Sequence, residues 1–179
     1  MKAQIKAVLT ELEKTQKTYW NITPEVGLFL NQLIRKTGAK KVLEIGSSNG
    51  YSGIWLAEAL THNKGQLHTM ESNAKKRYPL AVINFAKSKL PNINAILGHA
   101  PEDIPKGKFD IAFFDATKEE HGSYFDALSP HCKMIITDNI DSHREALTPF
   151  INKVKKAGWT SYHLPIGTGL LISLPKSSS

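Results

Sequence analysis

Apolar residues in this chain fall into short unbroken runs, separated by longer stretches where they recur every third or fourth position. Val42-Leu43-Glu44-Ile45, Gln66 to Glu71, Ile93 to Leu97, Phe109 to Phe114 and Met134 to Thr137 read as strands. The last two are apolar enough to be buried on both faces. Thr23-Pro24-Glu25 opens a helix with a hydroxyl cap, a proline in the first turn and an acid; Val26, Phe29, Leu30, Leu33 and Ile34 follow at helical spacing, and Gly38 ends it. Ser52 to Leu60, Glu119 to Leu128 and Ser142 to Lys156 read as further helices, as does a segment starting near Tyr78, where Pro79 is tolerated only in a first turn. Such alternation predicts an α/β fold with a parallel sheet. Trp159 to Leu164 and Leu170 to Leu174 are joined by Pro165 to Gly169, too short for a crossover helix, so these two strands run antiparallel. The expectation is one domain over 1–179: a mostly parallel seven-stranded sheet with one antiparallel strand near its edge and helices on both faces. A single amphipathic N-terminal helix should cover 1–20, and 175–179, with Ser177-Ser178-Ser179, should form a flexible tail.

Two of the strands deliver oxygen ligands at their carboxyl ends, the edge where open α/β sheets bind ligands. Phe113-Phe114-Asp115-Ala116-Thr117-Lys118 supplies one carboxylate, and Ile135-Ile136-Thr137-Asp138-Asn139 a second with an amide beside it. Neighbouring strands lie about 4.8 Å apart, so Asp115, Asp138 and Asn139 can converge on one hard cation. Such a set suits Mg²⁺, Mn²⁺ or Ca²⁺ rather than zinc, which prefers His and Cys. Lys118, three residues past the first ligand, is placed to act as a base. Taken singly, Asp115 also fits a helix cap and Asp138-Asn139 a turn after a strand.

From Gly46 the loop after the first strand runs G-x-x-x-G, not the dinucleotide fingerprint G-x-G-x-x-G. Gly46 allows a sharp turn, Gly50 would let a ligand approach the main chain, and free N–H groups at the next helix start favour a negative group. Glu71, closing the second strand, is placed to accept hydrogen bonds from a ribose diol.

Composition narrows the class. Of 179 residues, 41% are hydrophobic and 22% charged, ordinary for a soluble globular protein. Cys132 is alone, so no disulfide forms within the chain, and it should be an inert thiol before a core strand. Met1 to Lys17 lacks a signal peptide's apolar region, and no stretch approaches the roughly 20 apolar residues of a membrane span. A cytoplasmic protein without a membrane partner is expected. The net charge of +7 includes Lys75-Lys76-Arg77, Lys153, Lys155 and Lys156. Solvated helix faces account for it, as would an anionic partner such as RNA or a phosphorylated substrate, although no RNA-binding motif accompanies it.

With these motifs in order, the chain resembles the metal-dependent class I S-adenosylmethionine O-methyltransferases, which include the catechol and caffeoyl-coenzyme A enzymes, and is most similar to their bacterial members. The resemblance runs from about Trp20 to Leu174 and implies a Rossmann-like methyltransferase fold. Ile22-Thr23-Pro24-Glu25-Val26-Gly27 resembles the segment crossing the cofactor. The stretch from Glu44 through Gly46, Ser47, Ser48 and Gly50 to Ser52 resembles the motif holding the methionine part. Glu71 matches the ribose-binding acid, and Gly98-His99-Ala100-Pro101-Glu102-Asp103-Ile104-Pro105 resembles the turn bordering the adenine. By the same resemblance Asp115, Asp138 and Asn139 are metal ligands, Asp115 also touches the cofactor, Lys118 is catalytic, and Leu164 to Leu170 is the closing hairpin.

Departures are visible. His99 stands where an acid is common, and Ala116 and Thr117 are small where catechol enzymes carry His and Trp. Little precedes Trp20, and the chain passes through Ile140 to His143 straight into a helix, although in relatives both regions help build the acceptor pocket. The resemblance implies an S-adenosylmethionine-dependent, divalent-metal-assisted O-methyltransferase acting on a small phenolic or catechol-like acceptor, and such chains can pair as homodimers. A hydroxylated tRNA nucleoside is an alternative acceptor; an NAD-dependent oxidoreductase or a non-catalytic cofactor-binding protein are alternatives of another class. His143, His121 and Tyr124 could reach the acceptor entrance, His143 also fitting a capped helix start. Trp20 and Trp55 are expected to pack.

Overall fold

A computed structural model describes residues 1–176; the Ser177-Ser178-Ser179 tail lies outside the described residues. In chain order the elements are α1 (Ala3–Glu13), α2 (Gln16–Tyr19), α3 (Pro24–Thr37), β1 (Lys41–Ile45), α4 (Tyr51–His62), β2 (Gln66–Glu71), α5 (Arg77–Ser88), β3 (Ile93–Leu97) and β4 (Ile111–Phe114). After a 3-10 turn at Lys118–Glu120 follow α6 (His121–Leu128), β5 (Ile135–Thr137), α7 (Arg144–Lys156), β6 (Thr160–Leu164) and β7 (Leu170–Leu174).

The strands form one seven-stranded sheet in the order β3-β2-β1-β4-β5-β7-β6. β1 pairs in parallel with β2 and β4, and β4 with β5, while β7 runs antiparallel to both β5 and β6. The reversed strand is therefore one place in from the edge. Because β7 inserts between β5 and β6, its preceding hairpin lies beside the end of β5. The strand order reverses between β1 and β4, and a crevice opens outside the carboxyl ends at such a switch point.

Alternating side chains divide the core. Val42, Ile111, Phe113 and Ile136 pack with α1, α3 and α4 on one face; Leu43, Ala112, Phe114 and Ile135 pack with α6 and α7 on the other. Every residue of β4 is buried, as expected for a central parallel strand. Among the described residues no helix is long and apolar enough to cross a membrane.

Most boundaries fall within two residues of the sequence pattern, and three of the differences have a visible cause or shape. The N-terminal helix divides in two because the Thr15 hydroxyl donates to Leu12 O at 2.7 Å and Asn21 Nδ2 donates to the same carbonyl at 3.1 Å. Side chains thus claim an acceptor that a continuous helix would use. The β4 ladder starts at Ile111, not Phe109, because Asp110 turns its carboxylate to accept from the Lys40 and Lys41 amides at 2.9 and 3.0 Å. Phe109 keeps an isolated bridge to Cys132. Lys118 to Glu120, expected as loop and helix start, is the 3-10 turn.

Candidate active site

The site begins where β1 and β4 end side by side. Gly46 takes φ +99°, and a Cβ there would collide with the Asp115 backbone carbonyl, so only glycine lets the two strand ends approach this closely. The loop beyond it bonds to itself and to the end of β2. Gly46 N and Ser47 N donate to Met70 O at 3.0 and 2.9 Å, Gly50 N to Ser47 O at 2.7 Å, and Tyr51 N to Asn49 Oδ1 at 3.3 Å. Ser48 N donates to Glu71 Oε2 at 2.8 Å. Five amides of the turn, from Gly46, Ser47, Ser48, Gly50 and Tyr51, are thus engaged, that of Ser48 by the carboxylate of Glu71 itself. Asn73 N holds the other Glu71 oxygen at 2.9 Å, so this nearly buried acid is fixed in place while each oxygen retains accepting capacity toward a diol.

Four residues expected at the cofactor lie behind the cavity wall. Gly50, at φ +90°, faces the Phe85 ring, which a Cβ would meet at 2.8 Å; it serves the turn and the packing rather than a ligand's approach. Ser47 is buried. Glu44 is fully buried, accepts the Thr69 hydroxyl on Oε2 and leaves Oε1 without a partner. Burial pushes its carboxyl up to about 7 against the pull of the Ser52 and Thr69 hydroxyls. Ser52 is therefore turned to Glu44, not outward.

Gly46, Ser48, Glu71, His99 and Ala100 do line the crevice, a cavity of about 800 Å³. Asp115, Lys118, Asp138 and Asn139 line the same cavity. Lys118 Nζ donates to Asp115 Oδ1 at 3.1 Å, with both side chains about 15% exposed or less. Asp138 is 2% exposed; its burial first, and then the neighbouring negative charge of Asp115, raise its carboxyl well above the usual range. Among the described residues no three His, Cys, Asp or Glu side chains are placed to hold one metal ion. A cation here would accordingly take the Asn139 amide oxygen as its third protein donor. The set fits a hard cation: all donors are oxygens, and two carboxylates repel each other in a half-dry wall where a positive charge would offset them.

The structure gives some residues named in the sequence a different place and brings in others, Tyr19 and Thr168 among them. Trp20, expected to pack, is 72% exposed at φ +54° on the cavity rim, with the Arg77 guanidinium 5.0 Å from its ring centre. Lys76 Nζ stands 5.5 Å over the Tyr19 ring beside it. The α2 segment is fastened there because Ser48 Oγ donates to Tyr19 O at 2.9 Å and Asn49 Nδ2 to Thr15 Oγ1 at 3.1 Å. The pairing of Tyr19-Trp20 with Lys76-Arg77 was visible as composition, not as proximity. Thr168, from the β6–β7 hairpin, also lines the cavity and contacts both Asp138 and Asn139. Tyr124 reaches the wall and donates to Glu120 Oε2 at 2.5 Å, and Glu120 in turn lies 3.4 Å from His99 Nε2. His143 lines the wall at the α7 N-cap without capping it.

His121 is not at the entrance. It is fully buried among Phe114, Tyr124 and Phe150, neither ring nitrogen has a partner, and burial followed by the charge of Lys118 lowers its pKa to about 3. Trp55 packs on Gly27, whose missing side chain makes room for the indole. Cys132 is buried, which pushes its thiol up to about 11.

Comparison with known proteins places this geometry. A family model described as O-methyltransferase matches residues 2–143. A catechol O-methyltransferase of Niastella koreensis is 34% identical over 130 residues, covering 67% of this chain and 58% of that protein. Caffeoyl-CoA O-methyltransferase 1 of Zea mays is 33% identical over 131 residues, covering 65% and 49%. This chain thus matches between 49% and 58% of the length of these curated relatives. The crystal structure of an O-methyltransferase from Bacillus cereus in complex with SAH superposes with a TM-score of 0.81, at 24% identity over 98% of this chain and 92% of that one. That likeness is one of fold.

Proposed function

We propose that this chain, which belongs to the O-methyltransferase family, transfers the methyl group of S-adenosylmethionine to a hydroxyl of a small phenolic or catechol-like acceptor beside a divalent cation. One observation carries the reading: a single cavity of about 800 Å³ is lined both by Gly46, Ser48 and Glu71 and by Asp115, Lys118, Asp138 and Asn139. Glu71 would receive the donor's ribose diol, while His99 and Ala100 would border its adenine. The sulfonium methyl would then face the carboxylate end.

The acceptor's difficulty is its proton. A phenol-like hydroxyl with a pKa near 10 is ionised in about one molecule in 1000 at pH 7, a deficit of roughly 4 kcal/mol. Asp115, Asp138 and Asn139 would hold Mg²⁺, Mn²⁺ or Ca²⁺, which when bound stabilises an acceptor oxyanion by several kcal/mol. Lys118, held at the same wall by Asp115, takes the hydroxyl proton in its neutral form. Ile22, Ile45 and Met70 give the cavity apolar walls that exclude water and strengthen these interactions. Holding donor and acceptor in line contributes up to about 7–11 kcal/mol more.

Methyl transfer from S-adenosylmethionine to a panel of catechols should stop in EDTA and return with added Mg²⁺. Turnover undiminished in excess chelator would remove the cation. A thermal shift with NAD but none with S-adenosylmethionine would remove the methyl donor. The basic rim favours a second acceptor within the same chemistry, a hydroxylated tRNA nucleoside, because Lys76 and Arg77 over Tyr19 and Trp20 suit phosphates and bases together. Methylation of bulk tRNA that falls steeply with salt would support it, and transfer confined to free catechols would exclude it.

A further inference from the structure

The hairpin between β6 and β7 closes the sheet, but its tip also reaches across the end of β5. Thr168 sits between two residues in left-handed conformation, Gly167 at φ +60° and Gly169 at φ +87°. Neither neighbour has space for a side chain. A Cβ on Gly167 would meet Val26 of α3 at 2.6 Å, and one on Gly169 would strike the Asp141 carboxylate. Wedged in this way, the tip holds the chain that follows the candidate ligands. Gly169 O accepts from Ile140 N at 3.0 Å, and Thr168 O accepts from Asp141 N at 3.0 Å.

The Thr168 hydroxyl then contacts the candidate ligands themselves. It donates to Asp138 Oδ1 at 2.9 Å and accepts from Asn139 Nδ2 at 3.0 Å. We propose that Thr168 is the positioning residue that presets Asp138 and Asn139 for a divalent cation, an inference that rests on the metal-assisted reading above.

A hydroxyl has a single proton to give. With that proton committed to Asp138, only the NH₂ end of Asn139 can complete the contact, so the amide oxygen is the atom left for other partners. A reversed amide would present NH₂ instead, which repels a cation. The same bond occupies one oxygen of Asp138 and leaves Oδ2 for ligation. Asn139 itself takes φ +69°, a conformation Asn tolerates better than most residues, so its backbone and side chain are fixed together. Thr168 thereby sets the orientation of two ligands without needing to touch the ion.

The test is Mn²⁺ binding to the full chain without methyl donor, followed by electron paramagnetic resonance of the free ion, in wild type, Thr168→Val and Thr168→Ser. Valine keeps the shape of threonine and deletes both hydrogen bonds; serine keeps the hydroxyl. Partners that orient metal ligands typically control about 10–100-fold in affinity, so Thr168→Val should weaken Mn²⁺ binding by that factor while Thr168→Ser binds close to wild type. Affinity for S-adenosylhomocysteine, measured by calorimetry without metal, should match wild type in both variants and reports that the cavity is intact. Equal Mn²⁺ affinity in wild type and Thr168→Val overturns the positioning role and leaves the metal reading standing. A loss that serine fails to restore assigns the effect to packing and also overturns it. A wild type that binds no Mn²⁺ at millimolar concentration removes the metal reading, and this inference with it.

Discussion

Replacing Glu44 by Gln should change how stability responds to pH. Glu44 is fully buried, has one oxygen without a partner, and is pushed up to about 7 from 4.5 chiefly by burial. Below 4.5 it is protonated in both folded and unfolded chains and affects neither. Between 4.5 and about 7 the unfolded chain releases the proton while the folded chain keeps it, so stability falls as pH rises. Above that range both states are ionised and the loss levels off. The two pKa values make the folded state about 2–3 kcal/mol less stable at pH 8 than at pH 5 from this group alone. Glutamine cannot ionise. Its NH₂, placed where Oε1 has no partner, adds a roughly constant penalty of about 1–3 kcal/mol, which cancels when the two pH values are compared. Urea unfolding of both proteins at pH 5 and pH 8 isolates the effect. The stability of Glu44→Gln relative to wild type should improve by about 2–3 kcal/mol between the two pH values. Parallel pH profiles would refute a burial-raised carboxyl at this position.

His121 leads to the opposite slope. Its folded pKa is lowered to about 3, so stability is lost as pH falls below 6.5, where the unfolded chain takes up a proton that the folded chain refuses. His121→Phe, of similar size among Phe114, Tyr124 and Phe150, should remove that acid sensitivity and raise stability by about 1–3 kcal/mol, an increase of several degrees in melting temperature. A lower melting temperature at pH 5 would show that the imidazole has an unrecognised partner. Asp138→Ala should abolish Mg²⁺ or Mn²⁺ binding measured by calorimetry and leave S-adenosylhomocysteine binding in place; unchanged metal affinity would remove this site from the function.

Periodicity located the strands to within two residues because alternation and apolar runs are local properties. The reversed strand followed from a linker too short to cross the sheet. The carboxylates at two strand ends were legible for the same reason: a strand's last residue faces the edge whatever its neighbours are. Side chains whose role depends on a distant segment were not legible. Ser52 turns to Glu44 because Gly53 and the start of α4 lie against β1, and Trp20 projects over the cavity because α2 is fastened to the glycine loop.

The sequence by itself determined the alternating elements, the glycine at the sharp turn after β1, and the acids and amide at the ends of β2, β4 and β5. Tertiary structure decided which of them share a cavity, that Glu71 takes the Ser48 amide, and that Thr168 meets Asp138 and Asn139 from 29 or 30 positions along the chain. The division has a physical origin. Backbone conformation and strand ends follow from neighbours a few residues apart, whereas hydrogen-bond partners and burial depend on which surfaces meet when the sheet assembles.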